Sequence, residues 1–172
     1  YIELRLIADA GFIGLPNAGK TSLLNALTNA SGKVGAYAFT TLDPNLGAFY
    51  GFVLADIPGL IAGASDGKGL GIKFLRHIAR TKLLVHCVSL ESEDPMLDYK
   101  TVRAEIESFE GGILTQKQQL IVLTKSDTRD SKHSTKLRTQ FKKIGPTAVV
   151  SVLDDTQVKN LADELVSLPR SA

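Results

Sequence analysis

Cysteine is all but missing from this chain: Cys87 is the single one in 172 residues. That excludes an internal disulfide framework and a multi-cysteine zinc site, and it leads us to expect a reducing, cytoplasmic setting. An excess of charge of either sign is missing as well. Lysine and arginine number 20 against 18 aspartates and glutamates, so bulk charge does not make the chain a nucleic-acid wrapper, and any basic surface has to be local. Long apolar runs are also lacking. The longest, Leu83 to Leu90, is interrupted by His86 and falls far short of the ~20 residues a membrane helix needs, so no membrane partner is expected. No secretory pattern opens the chain. His77 and His133 lack companions at metal-ligand spacing, so no zinc site is expected.

What remains is 44% apolar and 22% charged, the balance of one compact domain spanning residues 1–172. The first residue is Tyr1 and residues 1–7 already read as a strand. The expectation is a chain excised from something longer, with 1–9 the junction to a preceding domain. Twelve of the fifteen glycines fall before residue 72, where backbone must take unusual dihedrals or approach a ligand. Apolar runs rich in Ile, Val, Leu and Phe read as strands at 11–14, 46–50, 52–57, 83–90, 120–124 and 147–152. Helical periodicity fills 21–29, 72–82, 96–109, 135–143 and 156–168. This alternation predicts an α/β domain: a mostly parallel six-stranded sheet with one antiparallel edge strand, helices on both faces, and ligands outside the carboxyl ends of the strands.

Gly14, Leu15, Pro16, Asn17, Ala18, Gly19, Lys20 and Thr21 match G-x-x-x-x-G-K-[ST] between a strand and a helix, the pattern of a P-loop NTPase. Its N–H groups converge on phosphate and the helix N-terminus adds a favourable partial charge. Lys20 is expected to reach the β and γ phosphates, and the Thr21 hydroxyl to hold Mg²⁺. Asp56, Ile57, Pro58 and Gly59 close a strand, where a carboxylate can hold the metal through water and the Gly59 N–H can approach the γ-phosphate. Phe39, Thr40, Thr41 and Leu42 lie in a loop about twenty residues after Thr21, long enough to fold back and supply a second hydroxyl, with Thr41 favoured over Thr40. The catalytic residues expected are thus Lys20, Thr41 and Gly59, and the metal ligands Thr21, Thr41 and Asp56. Thr124, Lys125, Ser126 and Asp127 fit [NT]-K-x-D after another strand, and Ser151, Val152 and Leu153 end the next. A carboxylate at Asp127 can accept from both N1–H and the exocyclic amine of guanine, whereas adenine offers an acceptor at N1, so GTP and GDP are the expected ligands. Together these motifs predict a G domain.

The chain resembles the G domain of Obg-type GTPases, within the translation-factor-related P-loop GTPases. The resemblance rests on LIADAGFIGLPNAGK (6–20), YAFTTLDPNLG (37–47), ADIPGLIAGAS (55–65) and GLGIKFLRHIAR (69–80). It implies GTP binding and hydrolysis with Mg²⁺ as a switch in assembly of the large ribosomal subunit, by a G domain that is itself monomeric. Thr124 stands where the family usually has Asn, and Val152 where Ala is usual, which predicts lower guanine affinity with specificity retained. Leu60 follows Gly59 where Ras-like enzymes carry a water-positioning Gln, so slow intrinsic turnover is expected. The alternatives are a guanine-nucleotide sensor that recruits partners with negligible hydrolysis and, disfavoured by Asp127, an ATPase. The segment 67–82 carries Lys68, Lys73, Arg76, Arg80 and Lys82 without an acid. It reads equally as a solvated helix face or as a contact for ribosomal RNA. The stretch 129–143 reads as solvated surface.

In relatives with the same Pro-Asn-x-Gly-Lys wording the Asn binds a monovalent cation, so Asn17 is expected to bring in K⁺, the alternative being that it only stabilises the loop turn. Faster GTP hydrolysis in KCl than in NaCl is the expected outcome; equal rates would sink the K⁺ role.

Overall fold

The computed structural model describes residues 9–15, 18–35, 45–49, 52–56, 81–108 and 115–168. The short β-rich runs pair into one sheet. Among the described residues its strands are β1 (Ala10–Ile13), β2 (Gly32–Gly35), β3 (Asn45–Phe49), β4 (Phe52–Asp56), β5 (Leu83–Ser89), β6 (Gln118–Thr124) and β7 (Thr147–Val149), in the order β2-β3-β4-β1-β5-β6-β7. The pairs of β1 with β4, β1 with β5, β5 with β6 and β6 with β7 are parallel, while β3 runs antiparallel to both β2 and β4. Among the described residues four helices alternate with them: α1 (Lys20–Ser31), α2 (Pro95–Ser108), α3 (Ser131–Lys142) and α4 (Asp155–Ser167).

The sheet corrects the expectation in one respect: among the described residues it has seven strands rather than six, and the antiparallel β3 is not the edge. β2 lies outside it, paired from Gly32↔Phe49 to Gly35↔Leu46. Two of the four β2 residues are glycines, which carry almost no strand signal. β3 and β4 pair antiparallel across a two-residue connection, with Phe49 in register with Phe52; the connecting Tyr50 and Gly51 themselves lie outside the described residues. So do the strand expected at 1–7, the helix expected over 72–82 except its last two residues, and the basic side chains Lys68, Lys73, Arg76 and Arg80. Helix α3 begins four residues earlier than its apolar periodicity, because the Asp130 carboxylate caps it by accepting from the His133 N–H at 2.7 Å.

Alternation along the strands sorts the core onto the two faces. Phe12, Val85, Cys87, Leu120 and Val122 pack with Leu23, Leu24 and Leu27 of α1 and with Val158, Leu161 and Leu165 of α4. Val88, Ile121 and Leu123 pack on the other face with Tyr99 of α2 and Leu137 and Phe141 of α3. Registers Phe12↔Asp56, Ser89↔Thr124 and Leu123↔Val149 bring the carboxyl ends of the parallel strands to one edge of the sheet.

His86 is fully buried in β5, stacked on the Tyr99 ring at 4.6 Å, and neither ring nitrogen has a hydrogen-bond partner. Gln119 lies close enough to oppose the effect, but its Nε2 donates to the Tyr99 hydroxyl at 3.1 Å. Burial, helped by the positive charges of Arg103 and Lys20, lowers the imidazole pKa from 6.5 to about 3. The folded state therefore holds His86 neutral, and the unfolded chain protonates first as the pH falls through 6.5. Stability is lost from there down to about pH 3, at ~1.4 kcal/mol per pH unit. Replacing the ring by His86→Phe is expected to reduce the stability lost between pH 7 and pH 5 by about 2 kcal/mol, read by urea unfolding at each pH.

Candidate nucleotide-binding site

The loop that follows β1 opens on Gly14, whose φ of 155° lies outside the range side chains favour. A Cβ there would stand 2.6 Å from the Cys87 carbonyl oxygen, so the loop backbone runs against β5 closely enough that only glycine fits. Gly19 also takes a positive φ, 86°. Between them the Ala18 N–H closes a turn on the Leu15 carbonyl at 3.1 Å. Lys20, the first residue of α1, is 6% exposed, and its ammonium donates back across the loop to the carbonyls of Gly14 (2.9 Å) and Leu15 (3.1 Å). A buried ammonium needs such partners. Thr21 follows it, exposed, in the first turn of the helix. Pro16 and Asn17 lie outside the described residues.

At the end of β6 the Thr124 hydroxyl donates to the Ala18 carbonyl at 2.6 Å, which ties the strand directly to the glycine loop. Lys125 then takes a left-handed backbone, φ 58°, and its ammonium pairs with the Glu91 carboxylate at 2.8 Å. Ser126–Thr128 form one 3₁₀ turn. Asp127 is exposed, and its Oδ1 accepts from the Ser151 hydroxyl at 2.7 Å. Ser151 is buried at 4% exposure; its own oxygen accepts from the Leu153 N–H at 3.2 Å. Val152 and Leu153, the two apolar residues that follow Ser151, are 40% and 79% exposed.

The structure thus brings together Gly14, Leu15, Ala18, Gly19, Lys20 and Thr21 with Thr124, Lys125, Ser126, Asp127 and Ser151 to Leu153. Asp56 ends β4, in register with Phe12 of β1 and Asn45 of β3, on the same edge of the sheet. Phe39, Thr40, Thr41, Leu42, Ile57, Pro58, Gly59 and Leu60 lie outside the described residues. Three contributors escaped sequence reasoning. Glu91 holds Lys125. Arg129, read as solvated surface, donates to the Leu90 carbonyl at 2.8 Å and the Ser92 carbonyl at 3.2 Å, stapling the turn after β5 to the 3₁₀ turn. Gln157, in the first turn of α4, accepts from the Ser151 N–H at 2.7 Å and the Ser126 hydroxyl at 3.1 Å. No motif marks them. A cavity of about 190 Å³ beside the loop is lined by Glu91 and Asp98 as well as Leu15, Ala18 and Cys87. Two carboxylates make it a poor seat for phosphate.

The family model described as "50S ribosome-binding GTPase" matches residues 9–125. The chain belongs to this family. Its curated relatives include GTPase Obg of Picosynechococcus sp., 44% identical over 171 residues, covering 95% of this chain and 48% of the relative. GTPase Obg of Prosthecochloris aestuarii is 51% identical over 138 residues, covering 77% of this chain and 42% of the relative. The resemblance to Obg-type GTPases therefore holds, and the chain spans about half the length of these relatives. Among solved structures, a GDP-bound mutant of S. thermophilus NFeoB is similar at 22% identity with a TM-score of 0.67, covering 94% of this chain and 61% of that one. That likeness shows the fold, a P-loop G domain.

The two loop glycines separate two causes of strain. Gly14→Ala meets both an unfavourable φ and a backbone oxygen at 2.6 Å, whereas a Cβ at Gly19 meets the Thr124 side chain at ordinary contact distance, 3.4 Å at the nearest, and carries the strain of its φ of 86° alone. Each strained backbone costs ~1–3 kcal/mol. Chemical denaturation is expected to rank Gly14→Ala below Gly19→Ala in stability, and the reverse order would contradict the close approach to β5.

Proposed function

We propose that the chain binds GTP and GDP through a guanine-selective site and hydrolyses GTP with Mg²⁺, as a switch in assembly of the large ribosomal subunit. The observation that carries the reading is the Asp127 carboxylate, exposed yet oriented by the Ser151 hydroxyl at 2.7 Å, in the turn that follows a strand end bonded to the phosphate loop. A carboxylate so held is an acceptor-only group and suits the paired donors of guanine. The exposed Val152 and Leu153, next in sequence to the serine that bonds it, offer apolar surface for a base ring. Lys20 and the start of α1 supply positive charge to phosphates.

Oxygen is the donor that suits Mg²⁺. Thr21 stands in the first turn of α1 and Asp56 is the last residue of β4, at the same sheet edge; a hydroxyl and a carboxylate are a donor set that fits the ion. When bound it supplies positive charge to the β and γ phosphates. Thr41 completes the proposed metal set, while the Gly59 N–H meets the γ-phosphate and Lys20 spreads charge as that group departs. Leu60 cannot orient water, so the chain's own turnover is slow and a partner, a rearranged loop or a K⁺ ion beside Asn17 supplies what is missing. Membership of the ribosome-binding family and the likeness to Obg relatives support the large subunit and its RNA as the partner, and the cytoplasm as the setting. Leu60 equally favours a second reading, a nucleotide sensor that recruits partners; single-turnover hydrolysis with and without ribosomal particles separates the two.

The base assignment is tested by Asp127→Asn, which turns an acceptor edge into a mixed one. GDP binding is expected to weaken roughly 10²-fold or more, while xanthosine diphosphate, with a carbonyl where guanine has its amine, binds the variant better than the wild type. Fluorescence titration reads both. Wild-type protein that binds ADP as tightly as GDP would overturn the reading.

A further inference from the structure

We propose that Gln157 is a positioning residue for guanine recognition, acting through Ser151 to fix the carboxylate of Asp127. The inference rests on the guanine reading of Asp127 given above. A backbone N–H can only donate, so the Gln157 atom 2.7 Å from the Ser151 nitrogen is its carbonyl oxygen, Oε1. The same oxygen accepts from the Ser126 hydroxyl at 3.1 Å, which uses both of its lone pairs. Ser126 immediately precedes Asp127, and Ser151 donates to Asp127 at 2.7 Å. One side-chain oxygen therefore holds the loop that carries the carboxylate and the loop that aims it.

The chain of bonds leaves Ser151 no slack. Its hydroxyl proton goes to Asp127 while its oxygen accepts from Leu153, and its N–H is committed to Gln157. Gln157 is fixed in turn from the other side. Its backbone N–H is capped by the Asp154 carboxylate at 3.2 Å, and its neighbour Val158 is buried in the core beneath α4. Without the Gln157 oxygen, a 96%-buried serine, 4% exposed, keeps an unpaired N–H and turns to find another partner. The Asp127 oxygen then loses its direction while the carboxylate itself remains. Weakened selection among bases is the specific consequence, because inosine offers Asp127 one donor where guanine offers two.

The test uses the full chain with GDP, inosine diphosphate and ADP as ligands, and unfolding measured alongside. Gln157→Met keeps length and volume but has no oxygen; Gln157→Glu keeps an acceptor at the same reach. Wild type is expected to prefer GDP to both other nucleotides. Gln157→Met is expected to lower GDP affinity about tenfold and to shrink the ratio of GDP to inosine diphosphate affinity several-fold, with Gln157→Glu restoring the ratio. Loss of stability alone cannot move that ratio, since both ligands bind the same folded protein. Gln157→Asn, which draws the amide back by one methylene, is expected to shrink it as well and serves if the Met variant does not fold. An unchanged ratio in Gln157→Met or Gln157→Asn overturns the positioning role, as does a Glu variant that rescues nothing. Wild-type protein without a preference for GDP overturns the guanine reading itself, and is recognised before any variant is made.

Discussion

One hydrogen bond ties the two halves of the site together: the Thr124 hydroxyl on the Ala18 carbonyl, 2.6 Å long and spanning most of the domain in sequence. Parallel strands deliver their following loops to one edge but leave each loop independent. This bond makes the end of β6 part of the glycine loop's own framework. Gly19 packs against the same threonine, with its missing side chain facing Thr124. Everything that Lys125, Asp127 and Ser151 do is therefore referred to the frame of the phosphate loop, and a shift in one is felt as misalignment in the other.

The two helices that carry the site lie on the same face of the sheet. α1 begins with Lys20 and α4 begins near Gln157, and the two pack against each other over a shared apolar cluster that includes Leu24, Leu27, Leu161 and Leu165. Their N-termini emerge at the edge where the parallel strands end. The opposite face, held by Tyr99 and Phe141, contributes support rather than ligands: from it come the turn after β5 and Arg129, which brace the Lys125 end. The buried imidazole of His86 belongs to this second face, far from the ends of the strands in chemical role if not in sequence.

Much of this was legible in the residues themselves. Gly14 to Thr21 declares its loop because phosphate binding demands glycine at fixed spacing, and the apolar runs of β5 and β6 declare a buried parallel sheet because both faces are covered. β2 was not legible, since Gly32 and Gly35 give no strand signal and the pairing comes from β3. The true start of α3 was hidden because a carboxylate cap, not apolar periodicity, sets it. Glu91, Arg129 and Gln157 were invisible for a different reason. Each acts across a separation of more than thirty residues on a partner that only the folded sheet brings near, and each is a common surface residue type with no pattern around it. Thr124, which by sequence is a departure from its family, is in the fold the residue that bonds the two loops.

Lys20 shows what such a frame is worth. A lysine free in solvent holds about 2 kcal/mol of rotamer entropy that must be surrendered when it meets an anion. Here that freedom is already gone, spent on the carbonyls of Gly14 and Leu15 during folding. An anion reaching this loop would meet a cation already ordered, and the rotamer entropy of the charge that receives it would not be surrendered a second time.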